Sequence, residues 1–184
     1  MTKRKRVFVT GAGGFIGANL VRTLLARGDE VHVLKRPERN QWRLGQIKNK
    51  LKLHSVEINN RAGILELIKK VQPDQVFHLA QYGCNPGEDD QANIQNVMIA
   101  GTAAIFDACI EVPAVKSVVN VGSFLEYGEK TSVIKENMLL QPSNSYGCAK
   151  AWATHYGQQL ARNKNAPITT LRPTFVFGPW QLKS

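Results

Sequence analysis

A doubly wound parallel α/β sheet in a single domain is the fold this sequence predicts. Three observations carry it. Short apolar runs rich in β-branched residues alternate with helical patterns along the whole chain, and that alternation demands right-handed crossovers between parallel strands. The runs "VFVT" and "SVVNV" are nearly continuous in apolar residues, as strands covered on both faces are. The first of these strands runs through three glycines straight into a helical pattern.

The elements follow in order. "VFVT" makes Val7–Thr10 a strand, and the amphipathic stretch after the glycines makes Phe15–Arg27 a helix. "EVHVL" gives a strand at Glu30–Leu34, and "LKLHSVE" another at Leu51–Glu57. Between them, Arg39–Asn49 reads equally as a short helix or a basic loop. Ala62–Val71 has helical spacing, and Gln75–Leu79 ("QVFHL") is the next strand. Gln91–Ile110 and Tyr146–Asn163 are long helices with apolar residues on more than one face. Ser117–Val121 and Ile168–Leu171 complete the strands. No repeat, low-complexity tract or internal boundary divides residues 1–184.

The composition is that of a globular chain, 43% hydrophobic and 21% charged. The formal net charge of +10 raises the question of nucleic acid. The basic residues gather in a head, Lys3–Arg6, and in a cluster from Lys35 to Lys52, with no interleaved aromatic beyond Trp42. That pattern reads as a solvated terminus and a solvated face, and argues against a nucleic-acid partner. Cys84, Cys109 and Cys148 are odd in number and widely spaced, and the four histidines show no ligand spacing, so no metal is expected. Reduced thiols and the lack of a signal peptide or of an apolar run near ~18 residues point to a cytoplasmic chain that does not cross a membrane.

Gly11-x-x-Gly14-x-x-Gly17 sits where a strand hands over to a helix, the setting of a dinucleotide-binding turn. Gly11 permits a tight turn, Gly14 removes a Cβ where a pyrophosphate approaches, and Gly17 allows close helix packing. Backbone N–H groups near Phe15 and Ile16 then face the phosphates at the positive end of the helix dipole. After the second strand, where NAD enzymes place an acidic residue on the ribose, this chain has Lys35 and Arg36. Two cations favour a 2′-phosphate, so NADP is the expected cofactor, with NAD possible. Arg39 and Arg43 could assist or simply face solvent.

Tyr146 and Lys150 stand four residues apart at the start of a helix, on one face. A nearby ammonium favours phenolate and lowers the tyrosine pKa, so the pair can move a proton at a carbonyl or carbinol oxygen. Ser123 lies just past a strand end, where it could hold that oxygen against Tyr146.

The stretches "VTGAGGFIGANL", "VFHLAQYG", "VGSFLEYG", "PSNSYGCAK" and "LRPTFVFGP" together make the chain resemble the extended short-chain dehydrogenase/reductase family, in its sugar-nucleotide epimerase/dehydratase/reductase branch. The resemblance implies a Rossmann-like fold. It makes Gly11, Gly14 and Gly17 the dinucleotide glycines, and it places Glu57, with Ile58 beside it, near the adenine. Leu79, Ala80 and Gln81 would line the cofactor, and Pro173 would lie beside the nicotinamide. Ser123, Tyr146 and Lys150 would be the catalytic triad, with Lys150 also on the nicotinamide ribose. A homodimer through the two long helices is implied as well.

Departures from the family pattern narrow these expectations. Phe124 and Leu125 stand where 4,6-dehydratases carry acids, so dehydration is disfavoured; Glu126 comes one place later and should face elsewhere. Met98 replaces a usual asparagine, with Asn96 on another side of the helix, which puts a local hydrogen bond in doubt. Family members usually continue well past the final motif, into the part that carries most of the sugar pocket. The expectation is therefore an NADP-dependent oxidoreductase or epimerase on a nucleotide-activated sugar, a 4-ketoreductase or an epimerase, reduced to its cofactor domain. The alternative is an NADP-binding regulatory or inactive module that turns nothing over.

Overall fold

The computed structural model describes residues 4–35, 42–84 and 87–181. Six strands form one parallel sheet: β1 (Arg6–Thr10), β2 (Glu30–Leu34), β3 (Lys52–His54), β4 (Gln75–His78), β5 (Ser117–Val121) and β6 (Ile168–Leu171). Their order is β3-β2-β1-β4-β5-β6. The chain builds outward from β1 to β3, then crosses back to lay β4 on the other side of β1. That reversal opens a crevice at the carboxyl ends of β1 and β4, where sheets of this kind bind ligands.

Alternation along each strand assigns the two faces. Val7, Val9, Val31 and Val33 pack with Val21 and Leu24 of α1 (Phe15–Ala26), and with Leu44 and Leu51. Phe8, Val76 and Val118 point the other way. They meet Ile64 and Ile68 of α2 (Arg61–Val71), Ile105 and Phe106 of α4 (Gly101–Glu111), and Leu160 of α5 (Ser145–Lys164). Both faces are thus covered, as the continuous apolar runs require.

The sequence places every strand and every long helix, and the differences have local causes. β3 is shorter than Leu51–Glu57. Beyond His54 the chain leaves the ladder so that Val56 and Ile58 can pack on the core, and Asn60 turns back, its N–H on Glu57 O at 3.0 Å. The Asn60 side chain then caps α2 by accepting from Gly63 N–H at 3.0 Å. Of Arg39–Asn49, residues 39–41 lie outside the described residues, and the rest falls in a 3₁₀ segment, Trp42–Lys50, anchored by buried Leu44. The long helix over Gln91–Ile110 starts as one α turn, α3 (Gln91–Asn93), capped by Asp90, runs π-helical through Ile94–Ala100, and continues as α4.

Not all of the basic head is solvated. Arg6 Nη1 donates to Val71 O at 2.8 Å and Gln72 O at 3.2 Å, closing the carboxyl end of α2. Arg4 pairs with Glu30 at 3.4 Å. The histidines are not all apart either: β2 and β3 bring His32 Nδ1 within 2.9 Å of His54 Nε2.

Gly17 shows how tightly the turn is built. A Cβ there would lie 2.3 Å from Gly11 O and 2.7 Å from Ala12 Cα. Its packing partner is the turn itself, more than the strand. Alanine should raise helix propensity by up to about 1 kcal/mol, yet Gly17→Ala is expected to lower stability by about 2 kcal/mol through overpacking. Urea denaturation checks this; a stabilised variant would contradict the packing.

Candidate active site

The site is built at the carboxyl edge of β1, β4 and β5. Gly11 has φ +71°, and a Cβ on it would meet the Leu79 carbonyl at 2.5 Å and Ala80 N at 2.7 Å. Only glycine can take this backbone and lie this close to the exit of β4. Gly14 differs. A Cβ there would meet only Gly11 O, at 3.2 Å, and the residue is exposed. Gly14 is the N-cap of α1 and offers no side-chain cap, and the first turn holds no acidic residue. The N–H groups of the first turn, Phe15 and Ile16 among them, have no intrahelical acceptors. An open cradle of uncapped donors at a helix N-terminus fits a dinucleotide pyrophosphate.

A buried relay fixes the β4 side of the crevice. Thr102 Oγ1 donates to Met98 O at 2.6 Å, so it accepts from His78 Nε2–H at 3.0 Å. His78 Nδ1 is then an acceptor and takes the Thr10 hydroxyl proton at 2.8 Å. The Thr10 oxygen in turn accepts from Ala80 N–H at 3.2 Å. The chain of bonds ties β1, β4 and α4 together and sets where Leu79, Ala80 and Gln81 leave the sheet. Burial holds His78 neutral, its pKa pushed down to about 3 with a further contribution from the Lys150 ammonium. Met98 Sδ accepts from Tyr82 N–H at 3.2 Å, while Asn96 is exposed.

Tyr146 and Lys150 both lie on the buried face of α5, and Ser123 is buried at the exit of β5. Asn144 starts α5 by accepting from Gly147 N–H at 2.8 Å. The bare Cα of Gly147 lets that first turn press on the Ser123 turn, since a Cβ would lie 2.7 Å from Leu125 O. Tyr146 Oη donates to the carboxamide oxygen of Gln81 at 3.0 Å. Lys150 Nζ donates to Val121 O at 2.5 Å and stands 5.6 Å from the Tyr146 ring centre. The Ser123 oxygen accepts from Leu125 N–H at 3.2 Å, which leaves its proton to donate elsewhere. Phe124 N–H on Pro173 O, at 3.1 Å, brings the segment after β6 to the same place.

One electrostatic expectation is reversed. The Tyr146 pKa is raised overall, not lowered. Burial raises it above the usual phenol value, followed by the charge of an ionised Cys84 sulfur, the hydrogen bond with Cys84 and the charge of Glu126. Lys150 is itself depressed to about 8, because burial outweighs the opposing charges of Glu126 and Cys84. At neutral pH this arrangement presents Tyr146 as a proton donor.

The remaining expected residues spread along the crevice. Lys35 stands at the end of β2, its N–H on His54 O at 2.7 Å, while Arg36 lies outside the described residues. Glu57 is exposed on its turn, and Ile58 packs against the core beside Gly101. Arg43 is already engaged. Its Nε donates to Trp180 O at 2.7 Å and its Nη1 to Gly13 O at 3.4 Å, with the guanidinium over Trp42. Gln81 does more than line the crevice, Thr154 had not been singled out, and Cys84 and Glu126 had been given no place in the site. The spacing Ser123-x-x-Glu126 is that of a capping box and could have drawn attention to Glu126. It does face elsewhere than the crevice: it is fully buried beneath Ser123. Among the described residues no cluster of three His, Cys, Asp or Glu could hold a metal, and no helix is long and apolar enough to cross a membrane.

Residues 7–184 match the NAD dependent epimerase/dehydratase family, and the chain belongs to it. Among curated proteins it is similar to a UDP-glucose 4-epimerase of Mycolicibacterium smegmatis, 29% identical over 96% of this chain and 58% of that protein. It is equally similar to a cinnamoyl-CoA reductase 2 of Arabidopsis thaliana, 29% identical over 95% of this chain and 55% of that protein. Among solved structures, a UDP-glucuronic acid 4-epimerase from Bacillus cereus in complex with NAD superposes with a TM-score of 0.84 at 25% identity, covering 95% of this chain and 58% of that one. The chain spans a little over half the length of these proteins.

The neutral burial of His78 carries a pH dependence. Its folded pKa lies below the value of 6.5 it has in an unfolded chain, so the unfolded state binds the extra proton first on acidification. Its contribution is complete above pH 6.5 and is lost as the pH falls toward 3. Between pH 7.5 and 5 this residue alone should remove about 2 kcal/mol of stability. Urea denaturation at the two pH values, with His78→Gln as control, checks it. The same pH slope in both proteins would contradict the relay.

Proposed function

We propose that this chain is the cofactor domain of an NADP-dependent oxidoreductase or epimerase that acts on a nucleotide-activated sugar. The observation that carries the reading is the Tyr146 hydroxyl donating to a carbonyl oxygen, that of Gln81, at 3.0 Å. That is the bond a reductase or epimerase must offer to a keto group of its substrate. The open glycine cradle at the start of α1 supports the reading as well, since it offers uncapped N–H donors for a dinucleotide.

In this reading Gly14 and the N–H groups of Phe15 and Ile16 hold the pyrophosphate, and Gly11 and Gly17 keep the turn that presents them. Lys35 and Arg36 meet the 2′-phosphate, Glu57 and Ile58 flank the adenine, and Leu79, Ala80 and Pro173 line the remainder. The bound nicotinamide supplies or takes a hydride. Ser123 donates to the substrate oxygen and orients it. Tyr146 gives that oxygen its proton in the reducing direction and removes it in the other. Lys150, beside the ring, stabilises the phenolate left behind and holds the nicotinamide ribose. A 4-ketoreductase uses this sequence once; an epimerase uses it in both directions with the sugar face exchanged. Phe124 and Leu125 have no proton to move, which speaks against a dehydratase.

Exposure of Phe175 (87%) and Phe177 (88%) after β6 supports a further substrate-binding part resting on this domain. The reading also takes the protein as a cytoplasmic homodimer joined through its long helices.

Two variants test it. Lys35→Asp should lower the affinity for NADPH at least tenfold more than that for NADH in calorimetric titrations, the worth of a charged hydrogen bond and a new repulsion. Equal losses would remove the case for NADP. Tyr146→Phe should keep NADPH affinity within about threefold and, in the protein with its substrate-binding part, lower turnover of a sugar nucleotide by at least about a hundredfold, the lower end of the range for a general acid. An active variant would overturn the assignment of Tyr146.

A further inference from the structure

Among the described residues, Glu126 is a carboxylate beside the site that the proposed chemistry leaves without a task. It lies in the 3₁₀ turn Phe124–Tyr127 directly after β5 and is fully buried. One oxygen accepts from Ser123 N–H at 2.8 Å, and the other from Thr154 Oγ1–H at 2.7 Å. Thr154 is on α5, one turn past Lys150 and on the same buried face. The carboxylate therefore bridges the turn that carries Ser123 and the helix that carries Tyr146 and Lys150. Gly122 makes the bridge possible, since a Cβ there would fall 2.2 Å from Glu126 Oε1.

A carboxylate is a costly choice for a bolt of this kind, because burying it uncompensated costs several kcal/mol, roughly. A neutral amide could accept from Ser123 N–H and, with the Thr154 hydroxyl turned, donate to Thr154 Oγ1. The charge has a counterpart, however: Lys150, 4% exposed, with Val121 O as the acceptor of its one described hydrogen bond. Two buried ions of opposite sign on adjoining elements relieve each other's burial. Burial raises the Glu126 pKa above the usual carboxylate value, opposed by the hydrogen bonds from Thr154 and Ser123 and then by the charges of Arg172 and Lys150; Glu126 in turn favours the charged form of Lys150. The other groups that feel this pair are Cys84, His78, Tyr127 and Tyr146.

We propose that Glu126 is a positioning residue for the Ser123, Tyr146 and Lys150 site: it locks the Ser123 turn onto α5 and supplies the counter-charge that keeps Lys150 an ammonium ion. The proposal rests on the reading of those three residues as the reacting groups. It explains how a lysine this deeply buried can still present a positive charge beside the Tyr146 ring near neutral pH.

The test is the titration of Lys150 in the intact chain, followed by NMR with lysine labelled with ¹³C at Cε and assigned by loss of its signal in Lys150→Arg. Glu126→Gln removes the charge while its carboxamide oxygen still accepts from Ser123 N–H and its NH2 donates to Thr154 Oγ1, the Thr154 hydroxyl turning its own proton away. The Lys150 midpoint should fall from about 8 by a full pH unit or more in Glu126→Gln. Thr154→Val, which keeps the charge, should leave it within about a third of a unit, since the interaction is Coulombic. An unchanged midpoint in folded Glu126→Gln overturns the proposal. The wild-type protein gives a second measurement that needs no variant: the Glu126 carboxyl carbon should shift at the midpoint of Lys150, and a flat response there overturns the proposal as well. An NADPH titration of the same sample separates the two ideas. Binding without Lys150–Glu126 coupling removes the role of Glu126 alone, whereas coupling without binding removes the cofactor reading beneath it.

Discussion

The contact on which the site depends is backbone against backbone. The peptide at Gly11 lies on the carbonyl of Leu79 and the N–H of Ala80 with no space for a side chain between them. This brings the exits of β1 and β4 together at the point where the strand order reverses. Gly17 repeats the device inside the turn, where α1 meets Gly11 and Ala12. With two glycines spent on closure, Gly14 faces outward with its cradle open. A sheet of this kind gathers ligands at such a reversal, and here the reversal is held by atoms that no larger residue could replace.

Around that contact the site is made of polar groups that are buried yet satisfied. The relay from Ala80 through Thr10, His78 and Thr102 to Met98 gives each hydrogen a single acceptor and fixes the imidazole tautomer. On the other side, Glu126 joins the Ser123 turn to α5. Each network would be destabilising if it were incomplete. Together they fix the exits of β4 and β5 and the start of α5, where Gln81, Ser123, Tyr146 and Lys150 stand. Burial then sets the charge states: it keeps Tyr146 protonated and His78 neutral, and it makes Lys150 dependent on its surroundings.

The fold was legible because its signals are local. Apolar runs, helical spacing and the glycine turn are consecutive in the sequence, and they gave Glu30–Leu34, Ser117–Val121 and Ile168–Leu171 with the bounds observed. β3 came out too long because Val56 and Ile58 look like strand residues in sequence and are drawn to the core by tertiary packing. The π-helical stretch Ile94–Ala100 had no local mark. Of the candidate site, Ser123, Tyr146 and Lys150 could be picked out from the sequence and are all buried in the structure, but their electrostatics were not legible. The sign of the Tyr146 shift depends on burial and on Cys84, a residue 62 positions away along the chain. The Gln81 bond to Tyr146 and the Thr154 bond to Glu126 are likewise long-range contacts that spacing does not encode.

The most direct test of the central claim is dinucleotide binding by Gly14→Ala. The new methyl group would meet only Gly11 O within the protein, so melting should stay close to that of the wild type. It would occupy the place where a pyrophosphate must approach, and NADPH affinity should fall at least tenfold, as expected when a close backbone approach is blocked. A folded Gly14→Ala that binds NADPH as tightly as the wild type would mean that the glycine turn shapes the protein and holds no cofactor.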